Sequence, residues 1–403
     1  MKLAYISYEF PPDTAVGGIA TYVHQTSKAM RKLGHTVEVF CASPRRQSLH
    51  EHFEDDVIVH RIKTDDMQRF CRAVVNLFAA RHAEIGFDLV ESPEYGAQGL
   101  SIKQRFSDLP MIVRCHTPTY FVKRLNKALR ADSWKARVTK ALGVGQYHKR
   151  HDREYRLAML ADRISSPSVS LGDHLAADWG IGRHDIDDVP YIYVPDRKLL
   201  EIPAASNSRV VTFIGRLEVR KGVVALADAI PLVLRRHPDA IFRFIGKSGR
   251  AHRGKRPMID CLREKLAPHS ANIEFIDHVP LDEVPAYLAR TDVCVFPSLW
   301  ENFPFVCLEA MSAARGIVAS RDGGMTDMLG DIDGGSLIDP TDPRDLAQGV
   351  IDLLDDPQRR HEMGLRCREK IVRHYANAVV RVTEEYYVAA GQSKTSVPNF
   401  MYS

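Results

Sequence analysis

The stretch RVVTFIGRLEVRKGVVALADAIPLVLRRHPDAIFRFIGK, residues 209–247, has a short apolar run at each end and a longer run between them. The end runs RVVTFIG and AIFRFIG are short and rich in β-branched and aromatic residues, which predicts strands. The middle run VVALADAIPLVLRRH is long enough for a helix. Because parallel strands need a helical crossover between them, this order predicts an α/β fold with a parallel sheet.

The same alternation continues on both sides of this stretch. Towards the C-terminus, strands are predicted at NIEFIDHV, DVCVFPS and GIVASRD. Towards the N-terminus, strands are predicted at KLAYISY, TVEVFCA, DLVES and MIVRCHT. The two series predict two Rossmann-like, doubly wound α/β domains. We place their boundary in VPDRKLLEIPAASNS, near residue 200, so that the domains are residues 1–200 and 201–374.

The composition is that of an ordinary soluble globular protein. The chain has 403 residues, which at the usual size of about 150 residues per domain suggests two domains. Hydrophobic residues make up 45% and charged residues 26%, and a net charge of +4 is too small to indicate nucleic-acid binding. No run approaches the roughly 18 apolar residues of a spanning helix, and the seven cysteines are scattered, as reduced thiols are. We predict a cytoplasmic protein, either free or associated with the inner face of the membrane.

Two cations follow the first strand of the second domain. Arg216 and Lys221 lie in the loop of FIGRLEVRKG, at the carboxyl edge of the predicted sheet, where doubly wound sheets bind ligands. A guanidinium and an ammonium group held close together suit a diphosphate, because each can neutralise charge on its oxygens. The alternative is that both are solvated surface cations.

Two glutamates flank a short aromatic turn in SLWENFPFVCLEAM, residues 298–311. Glu301 follows a predicted strand, and a helix that begins near Pro304 would place Glu309 in its second turn. Carboxylates accept hydrogen bonds from paired sugar hydroxyls, while N–H groups of Phe303 and Phe305 at the helix start favour a phosphate. The run therefore indicates a ligand with a hydroxylated ring and a central negative charge.

Two further features lie at strand ends of the first domain. Gly17-Gly18 open the first helix, so that a phosphate could approach backbone N–H groups there; the alternative is a tight turn that needs positive φ. His116 ends the strand of RCHTP and is either functional or structural. The glycine pattern is not G-x-G-x-x-G, which argues against a nicotinamide cofactor.

No metal site is predicted. Asp185-Ile186-Asp187 and Asp331-Ile332-Asp333 have the D-x-D spacing of a metal site, but neither ends an apolar strand, and Asp-rich loops are common. The sequence also has no Cys/His cluster with zinc spacing, no Walker loop and no G-x-S-x-G motif.

Residues 119–156 interrupt the alternation with a basic, mostly helical stretch that has few acidic residues. We expect it to contact an acidic partner, either an anionic membrane surface that carries a lipid-linked acceptor or a phosphorylated acceptor itself. The alternative is a solvated helical face.

The motifs occur in a characteristic order, namely Gly17-Gly18, His116, GRLEVRKG at 215–222, ENFPFVCLE at 301–309, DGG at 322–324 and LIDPTDP at 337–343. In this order and spacing the chain resembles the retaining nucleotide-sugar glycosyltransferases with the GT-B fold, more specifically their family four, the glycosyl transferases group 1. The resemblance runs from the first strand to about residue 390. It implies two facing Rossmann-like domains with the active site in the cleft between them. The N-terminal domain would bind the acceptor and the C-terminal domain the donor, with a helix at about 375–391 packing back on the N-terminal domain.

The resemblance also implies roles for individual residues. Arg216 and Lys221 would grip the donor diphosphate, and Glu309 would bind the ribose hydroxyls. Glu301 would hold the donor sugar together with the residues that follow it, Asn302, Phe303, Pro304 and Phe305. The remaining contacts would be His116 at the donor sugar and acceptor, Gly17-Gly18 over the phosphate, and backbone near Val279 at the base. The catalytic set would then be His116, Arg216, Lys221 and Glu301.

The implied reaction is transfer of a hexose from a nucleotide diphosphate sugar, a UDP-sugar first and a GDP-sugar second. The acceptor would be a hydroxyl of a glycan, lipid-linked or phosphorylated compound, and the anomeric configuration would be retained, in polysaccharide or glycolipid biosynthesis. No cofactor or divalent cation is expected, because Arg216 and Lys221 supply positive charge at the diphosphate. The alternatives are a non-catalytic sugar-nucleotide-binding protein and an epimerase or phosphorylase-like enzyme of the same fold.

Overall fold

The computed structural model describes residues 1–14, 17–128, 147–249 and 256–392. These residues form two compact units. The first contains residues 1–124, 147–194 and 375–392, and the second contains residues 125–128 and 195–374. Each unit is an α/β domain built on one largely parallel sheet, so the predicted fold class is confirmed.

The sheet of the first unit has eight strands. They are β1 (Lys2–Ile6), β2 (Thr36–Ser43), β3 (Ser48–Phe53), β4 (Val57–Lys63), β5 (Leu89–Pro93), β6 (Met111–Arg114), β7 (Arg163–Ser166) and β8 (Ile186–Asp188). They pair in the order β3-β4-β2-β1-β5-β6-β7-β8, and every pair except β3/β4 is parallel. Strands β2, β5 and β6 are almost wholly buried, as strands of a parallel sheet covered on both faces should be.

The antiparallel edge strand β3 is not predicted by the sequence pattern. Its residues SLHEHF are mostly polar, and each is half-buried or exposed. An edge strand needs little apolar surface, because one of its sides faces away from the sheet. The structure therefore adds the β3/β4 hairpin to the predicted series, together with the short parallel strands at Arg163–Ser166, Ile186–Asp188 and Ser336–Ile338.

The helices of the first unit connect these strands. In chain order they are α1 (Gly18–Lys32), α2 (Met67–Ile85), α3 (Leu100–Arg105), α4 (Thr119–Ala128), α5 (Arg153–Leu160) and α6 (Val169–Trp179). Only the first part of α4, up to Arg124, belongs to this unit. Helix α2 shows how local sequence sets the ends. The side chain of Asp66 accepts a hydrogen bond from the N–H of Arg69 at 2.7 Å, and Gly86 ends the helix with a φ of 68°.

The second unit has six parallel strands. They are β9 (Val210–Ile214), β10 (Ile241–Ile245), β11 (Ile273–Ile276), β12 (Val293–Phe296), β13 (Gly316–Ser320) and β14 (Ser336–Ile338), in the order β11-β10-β9-β12-β13-β14. Its helices are α7 (Arg197–Leu200), α8 (Val223–Arg236), α9 (Met258–Lys265), α10 (Val284–Leu288), α11 (Phe305–Ser312), α12 (Met325–Leu329), α13 (Pro343–Asp355) and the first part of α14 (Pro357–Ala389). Apolar residues of α8, α13 and the central strands form its core.

Both sheets have a point where the strand order reverses. In the first unit this switch point lies between β1 and β5, and in the second between β9 and β12. Ligands of doubly wound sheets bind outside the carboxyl ends of the strands at such points. The loops after β9 and β12 carry Arg216, Lys221 and Glu301, so these predicted residues come together at one switch point.

The final helix α14 belongs to both units: residues up to His374 are part of the second, and residues from Tyr375 onward are part of the first. Across the described ranges, no helix is both long enough and apolar enough to cross a membrane.

Candidate functional site

The loops after β9 and β12 are in direct contact. Gly222, the residue after Lys221, has a φ of 72°, and a Cβ there would lie 1.8 Å from the carbonyl oxygen of Pro297. Glycine permits both this left-handed conformation and this close approach. The N–H of Leu299 also donates to the carbonyl of Arg220 at 2.9 Å. The side chains of the two predicted motifs are therefore held next to each other.

Glu301 is the centre of a small ion-pair network. The ammonium group of Lys221 donates to Oε1 of Glu301. The guanidinium of Arg220 donates to the same oxygen at 3.3 Å and to the carboxylate of Glu218 at 3.0 Å. Burial raises the pKa of Glu301, but Lys221 and Arg220 together lower it further, so that it lies below its ordinary value. Glu301 is therefore ionised at neutral pH.

Arg216 is the most exposed cation of this loop. Its side chain is 67% accessible, and its guanidinium comes no closer than 4.0 Å to the Glu218 carboxylate. A guanidinium in this position can offer a planar pair of N–H groups to an incoming oxyanion. Arg216 can therefore bind an anionic ligand without first breaking a close ion pair.

Glu309 lies in the second turn of α11, which begins at Phe305 with Pro304 in the N-cap position. Burial, with a smaller contribution from the charge of Asp196, raises the pKa of Glu309 to about 7. Among the residues that the structure describes, none donates a hydrogen bond to this carboxylate. A half-buried acid of this kind has acceptor capacity left for a ligand.

The other residues predicted to bind a donor lie on the same sheet edge. Asn302 and Phe303 are buried in the turn before α11, and the ring of Phe303 stacks on His374 with centroids 5.7 Å apart. Pro304 and Phe305 are half-buried. Val279 follows β11 and is buried, two strands away from β9.

In the first unit, His116 follows β6 at the carboxyl edge of the sheet and is 8% exposed. Its N–H donates to the carboxylate of Glu94 at 2.8 Å, and its Nδ1 lies 2.5 Å from the hydroxyl of Tyr191. Burial and the nearby Arg114 lower the pKa of His116 to about 3, so the imidazole is neutral. Burial and the charge of Glu154 raise the pKa of Glu94 to about 8.

Gly17 and Gly18 lie at the start of α1, but neither adopts a left-handed turn. Gly17 has a φ of −141°, and Gly18 is the first residue of the helix. A Cβ on Gly17 would lie 2.9 Å from Oε2 of Glu9, whereas one on Gly18 would meet open space. Burial raises the pKa of Glu9, although the N–H of Ala20 lowers it. A carboxylate thus lies beside this helix start, and the phosphate role of Gly17-Gly18 stays a prediction.

The acids of the two D-x-D runs already have protein partners. Asp187 pairs with Arg163 at 2.5 Å, Asp331 with Lys370, Asp333 with Arg366 at 3.3 Å, and Asp185 accepts from the N–H of Gly182 at 2.9 Å. The first run is not a loop, because Ile186 and Asp187 belong to β8, and the second lies in the turn after α12. Of the basic stretch 119–156, residues 129–146 lie outside the described residues; within the remainder, Arg124 pairs with Asp178 at 2.8 Å.

One group of described residues has metal-ligand spacing. Ligand atoms of Glu38, His50 and His60 lie within 4.8 Å of one another. Glu38 already accepts hydrogen bonds from His60 at 2.7 Å and from the Arg81 guanidinium at 2.6 and 3.1 Å. A metal ion would have to displace the Arg81 guanidinium, which balances the charge of the buried Glu38 carboxylate. We therefore assign the group a structural role.

Sequence reasoning missed Arg220, Glu218 and Tyr191. The first two lie inside the motif GRLEVRKG, and the alternation of acid and base in that loop was the available signal. Tyr191 lies 75 residues from His116 in the chain, and no local pattern connects the two.

Comparison with known proteins agrees with this geometry. The family model described as Glycosyltransferase Family 4 matches residues 16–192, and the model described as Glycosyl transferases group 1 matches residues 197–370. A glycogen synthase of Mycobacterium tuberculosis (strain CDC 1551 / Oshkosh) is 25% identical over 97% of this chain and 95% of its own. A D-inositol 3-phosphate glycosyltransferase of Kineococcus radiotolerans is 28% identical over 94% of this chain and 92% of its own.

Solved structures with the same fold cover almost the whole chain. Sucrose-phosphate synthase from Thermosynechococcus elongatus superposes with a TM-score of 0.73 at 20% identity, covering 96% of this chain and 99% of the other. HepE from Anabaena, in complex with UDP, superposes with a TM-score of 0.68 at 14% identity, covering 97% of this chain and 100% of the other. These neighbours show the GT-B fold. With its two halves matched in turn by the two family models, the chain belongs to the nucleotide-sugar glycosyltransferases of family four.

Proposed function

We propose that this enzyme moves a hexose from a nucleotide diphosphate sugar to a hydroxyl group with retention of the anomeric configuration. A UDP-sugar is the preferred donor and a GDP-sugar the second. The observation that carries the proposal is the contact of Arg216, Arg220 and Lys221 with two carboxylates at the switch point of the second sheet. An ionised Glu301 beside cations suits a ligand that joins a sugar to a diphosphate.

Each part of the donor has a chemical counterpart in the second unit. Arg216 and Lys221 bind the diphosphate, with backbone N–H groups at the start of α11 beside it. Glu309 accepts hydrogen bonds from the ribose hydroxyls, and backbone near Val279 contacts the base. Glu301 and residues 302–305 hold the sugar. In the first unit, His116 contacts the donor sugar and the acceptor, and Gly17-Gly18 approach the phosphate.

The reaction breaks the bond between the anomeric carbon and the diphosphate oxygen. The sugar gains oxocarbenium character and the leaving diphosphate gains negative charge, which Arg216 and Lys221 stabilise. The acceptor oxygen attacks the same face, and its proton passes to the leaving phosphate oxygen. A covalent route would need a carboxylate nucleophile close to the anomeric carbon. Glu301 is engaged by Lys221 and Arg220, which favours a binding role for it over a nucleophilic one.

The acceptor is a hydroxyl of a glycan, lipid-linked or phosphorylated compound, which would place the enzyme in polysaccharide or glycolipid biosynthesis. Relatives with the names glycogen synthase and D-inositol 3-phosphate glycosyltransferase support both a glycan and a phosphorylated compound. The basic stretch 119–156 supplies positive charge for an anionic acceptor or for the membrane surface that carries it.

A donor and acceptor screen tests the proposal. Purified enzyme would be incubated with UDP-, GDP- and ADP-hexoses and a panel of glycan, lipid-linked and phosphorylated acceptors, and products would be followed by mass spectrometry. We expect release of the nucleotide diphosphate and a glycoside whose anomeric proton coupling matches that of the donor. An epimerised sugar nucleotide, a sugar 1-phosphate, or tight donor binding without turnover would each support one of the alternatives.

We expect transfer to continue after complete removal of divalent cations. Arg216 and Lys221 already supply the positive charge that a metal would bring to the diphosphate. The enzyme would be treated with EDTA, freed of chelator by gel filtration, and assayed with and without magnesium or manganese. Activity that is lost and returns only with added metal would contradict this expectation and redirect attention to the D-x-D runs.

We expect Glu309→Gln to raise the donor KM about tenfold and to leave kcat nearly unchanged, because the ribose is remote from the breaking bond. An amide cannot accept two charge-assisted hydrogen bonds from a diol as a carboxylate can. Because the pKa of Glu309 is about 7, the wild-type donor KM should fall as pH rises from about 6 to 8.

In the Glu309→Gln variant this pH dependence of the donor KM should disappear. Glu264→Gln, at an exposed acid of α9, is the matched control and should keep both the KM and its pH dependence. A Glu309→Gln enzyme with normal donor KM and a much lower kcat would move Glu309 from the ribose to the chemical step.

A further inference from the structure

Two cations hold the carboxylate of Glu301 at one oxygen. The ammonium group of Lys221 donates to Oε1, and the guanidinium of Arg220 donates to the same atom at 3.3 Å. Arg220 also reaches a second acid, because its other terminal nitrogen donates to the Glu218 carboxylate at 3.0 Å. The Glu301 side chain is only 13% accessible, so water screens its charge incompletely. The charge balance of Glu301 therefore depends on these two cations.

The surrounding structure fixes Glu301 and Arg220 more firmly than it fixes Lys221. The carbonyl oxygen of Glu301 accepts the N–H of Gly324 at 2.9 Å, and a Cβ on Gly323 would lie 2.2 Å from that oxygen. The guanidinium of Arg220 is a planar fork held between two acids. Lys221 carries its charge on a flexible four-carbon stem. Of the two cations, Lys221 is therefore the one that can turn towards a ligand.

A diphosphate that reaches Lys221 would compete with Glu301 for one positive charge. The inference rests on the proposed function at this step, because it takes Lys221 to bind the donor diphosphate and Glu301 the donor sugar. An ammonium group shared by two anions balances each of them only in part. Without Arg220, drawing Lys221 towards the diphosphate would leave the Glu301 carboxylate with no close cation. An enclosed charge that loses its partner is strongly destabilising, so the donor would bind less tightly.

We propose that Arg220 is a positioning residue: it balances the Glu301 carboxylate, so that the charge of Lys221 is available to the donor diphosphate. Arg220 acts through Glu301 and need not touch the donor. This role predicts which ligands depend on Arg220. The sugar of a nucleotide sugar brings hydroxyl groups that can donate to Glu301, whereas a nucleoside diphosphate lacks that sugar. Binding of the nucleoside diphosphate should therefore depend on Arg220 more strongly than binding of the nucleotide sugar.

Calorimetric titration of the full chain tests this difference without turnover. UDP and UDP-glucose are the first pair of probes, with GDP and GDP-mannose and then ADP and ADP-glucose as the next pairs. We expect Arg220→Met to weaken binding of the nucleoside diphosphate about tenfold and that of the nucleotide sugar about threefold, because only the sugar replaces the hydrogen bond that Glu301 loses. Arg220→Lys keeps the charge and should restore nucleoside diphosphate binding to within about threefold of the wild type.

A double-mutant cycle tests whether Arg220 acts through Glu301. Glu301→Gln leaves no charge to balance, so adding Arg220→Met to it should change the affinity for the nucleoside diphosphate by less than about twofold. Arg243→Met is the matched control, because Arg243 lies in β10 of the same unit and pairs with Glu274 at 2.7 Å, outside this cluster. It should leave both affinities unchanged. Unfolding midpoints of all variants would check that each is folded.

The outcomes distinguish the role of Arg220 from the proposed function. If the wild-type enzyme transfers sugar but Arg220→Met weakens both ligands of a pair equally, the role of Arg220 is wrong and the proposed function stands. The same conclusion follows if Arg220→Met weakens the nucleoside diphosphate by the same factor in the Glu301→Gln background. If the wild-type enzyme binds none of the probes and transfers no sugar, the proposed function is wrong, and Arg220 only joins two acids.

Discussion

Arg216→Ala and Lys221→Ala are each expected to lower kcat about a hundredfold, the usual cost of about 3 kcal/mol for removing one donor that stabilises a developing anion. The leaving diphosphate gains charge as the glycosidic bond breaks. A cation that touches it therefore binds more strongly in the transition state than in the ground state, and its loss appears mainly in kcat.

The two substitutions should differ in one respect. Arg216 is exposed and reaches the Glu218 carboxylate only at 4.0 Å, so its replacement removes a cation and disturbs little else. Lys221 forms an ion pair with Glu301, and its replacement leaves that carboxylate to Arg220 alone. We therefore expect Lys221→Ala to raise the donor KM as well, whereas Arg216→Ala should change kcat with a smaller effect on KM.

Steady-state kinetics with one donor and saturating acceptor would measure both effects. Arg236→Ala is the matched control, because this arginine is exposed in the same unit and pairs with Asp355 at 3.4 Å, away from the sheet edge. Circular dichroism would establish that each variant is folded. A normal kcat in Arg216→Ala and Lys221→Ala would contradict the assignment of these cations to the leaving group.

The alternation of apolar runs was sufficient to predict the fold because parallel strands and crossover helices leave a strong local pattern. The runs RVVTFIG and DVCVFPS became the neighbouring strands β9 and β12, and their following loops brought Lys221 and Glu301 into contact. The edge strand β3 escaped prediction because an edge strand buries little. Strands β4, β7, β8 and β14 were also missed. The rule that ligands bind at the carboxyl edge of such sheets still predicted where site residues lie, because it depends on β9 and β12, which were predicted.

Contacts between distant parts of the chain could not be predicted from local patterns. The pairing of Tyr191 with His116 and the buried cluster around Arg114 depend on side chains that only the tertiary fold brings together. The pKa of Glu309 is raised by burial, which the residue type and helix position alone do not reveal. The sequence thus indicated which residue types lie at the site. The protonation states of these residues and their hydrogen-bond partners could be identified only from the structure.

The cluster around Arg114 leads to the largest stability effect that we expect. Arg114 donates to Glu385 of α14 at 2.5 Å and to Glu91 of β5 at 3.2 Å, and all three side chains are buried. Tyr22 and Tyr386 donate to the Glu91 carboxylate at 2.8 and 2.7 Å. One guanidinium therefore balances two buried carboxylates, one of them on the last helix of the chain.

We expect Arg114→Met to destabilise the first unit by about 3–5 kcal/mol, because removing one member of a buried ion pair leaves uncompensated charge in the core. Hydrogen exchange followed by mass spectrometry would measure the loss for each unit, with peptides of β5 and residues 375–389 losing protection while peptides of β9 and β12 keep theirs. Glu369→Ala is the matched control, because Glu369 lies on the same helix in an exposed pair with Arg373 and should cost at most about 0.5 kcal/mol.

The dependence of this loss on pH distinguishes uncompensated charge from poor packing of the new methionine. Burial raises the pKa of Glu385 and Arg114 lowers it, so Arg114→Met should raise this pKa further. When the pKa of a carboxyl group is higher in the folded than in the unfolded state, the group does not destabilise the protein at a pH below its unfolded-state pKa. Its destabilising effect grows as the pH rises towards the folded-state pKa. The stability of the Arg114→Met variant should therefore be closest to that of the wild type near pH 5, and the difference should grow towards pH 8. Adding Glu385→Leu should recover part of the lost stability at pH 8. If the loss of stability is the same at both pH values and Glu385→Leu does not change it, then the packing of Arg114 rather than its charge stabilises the first unit.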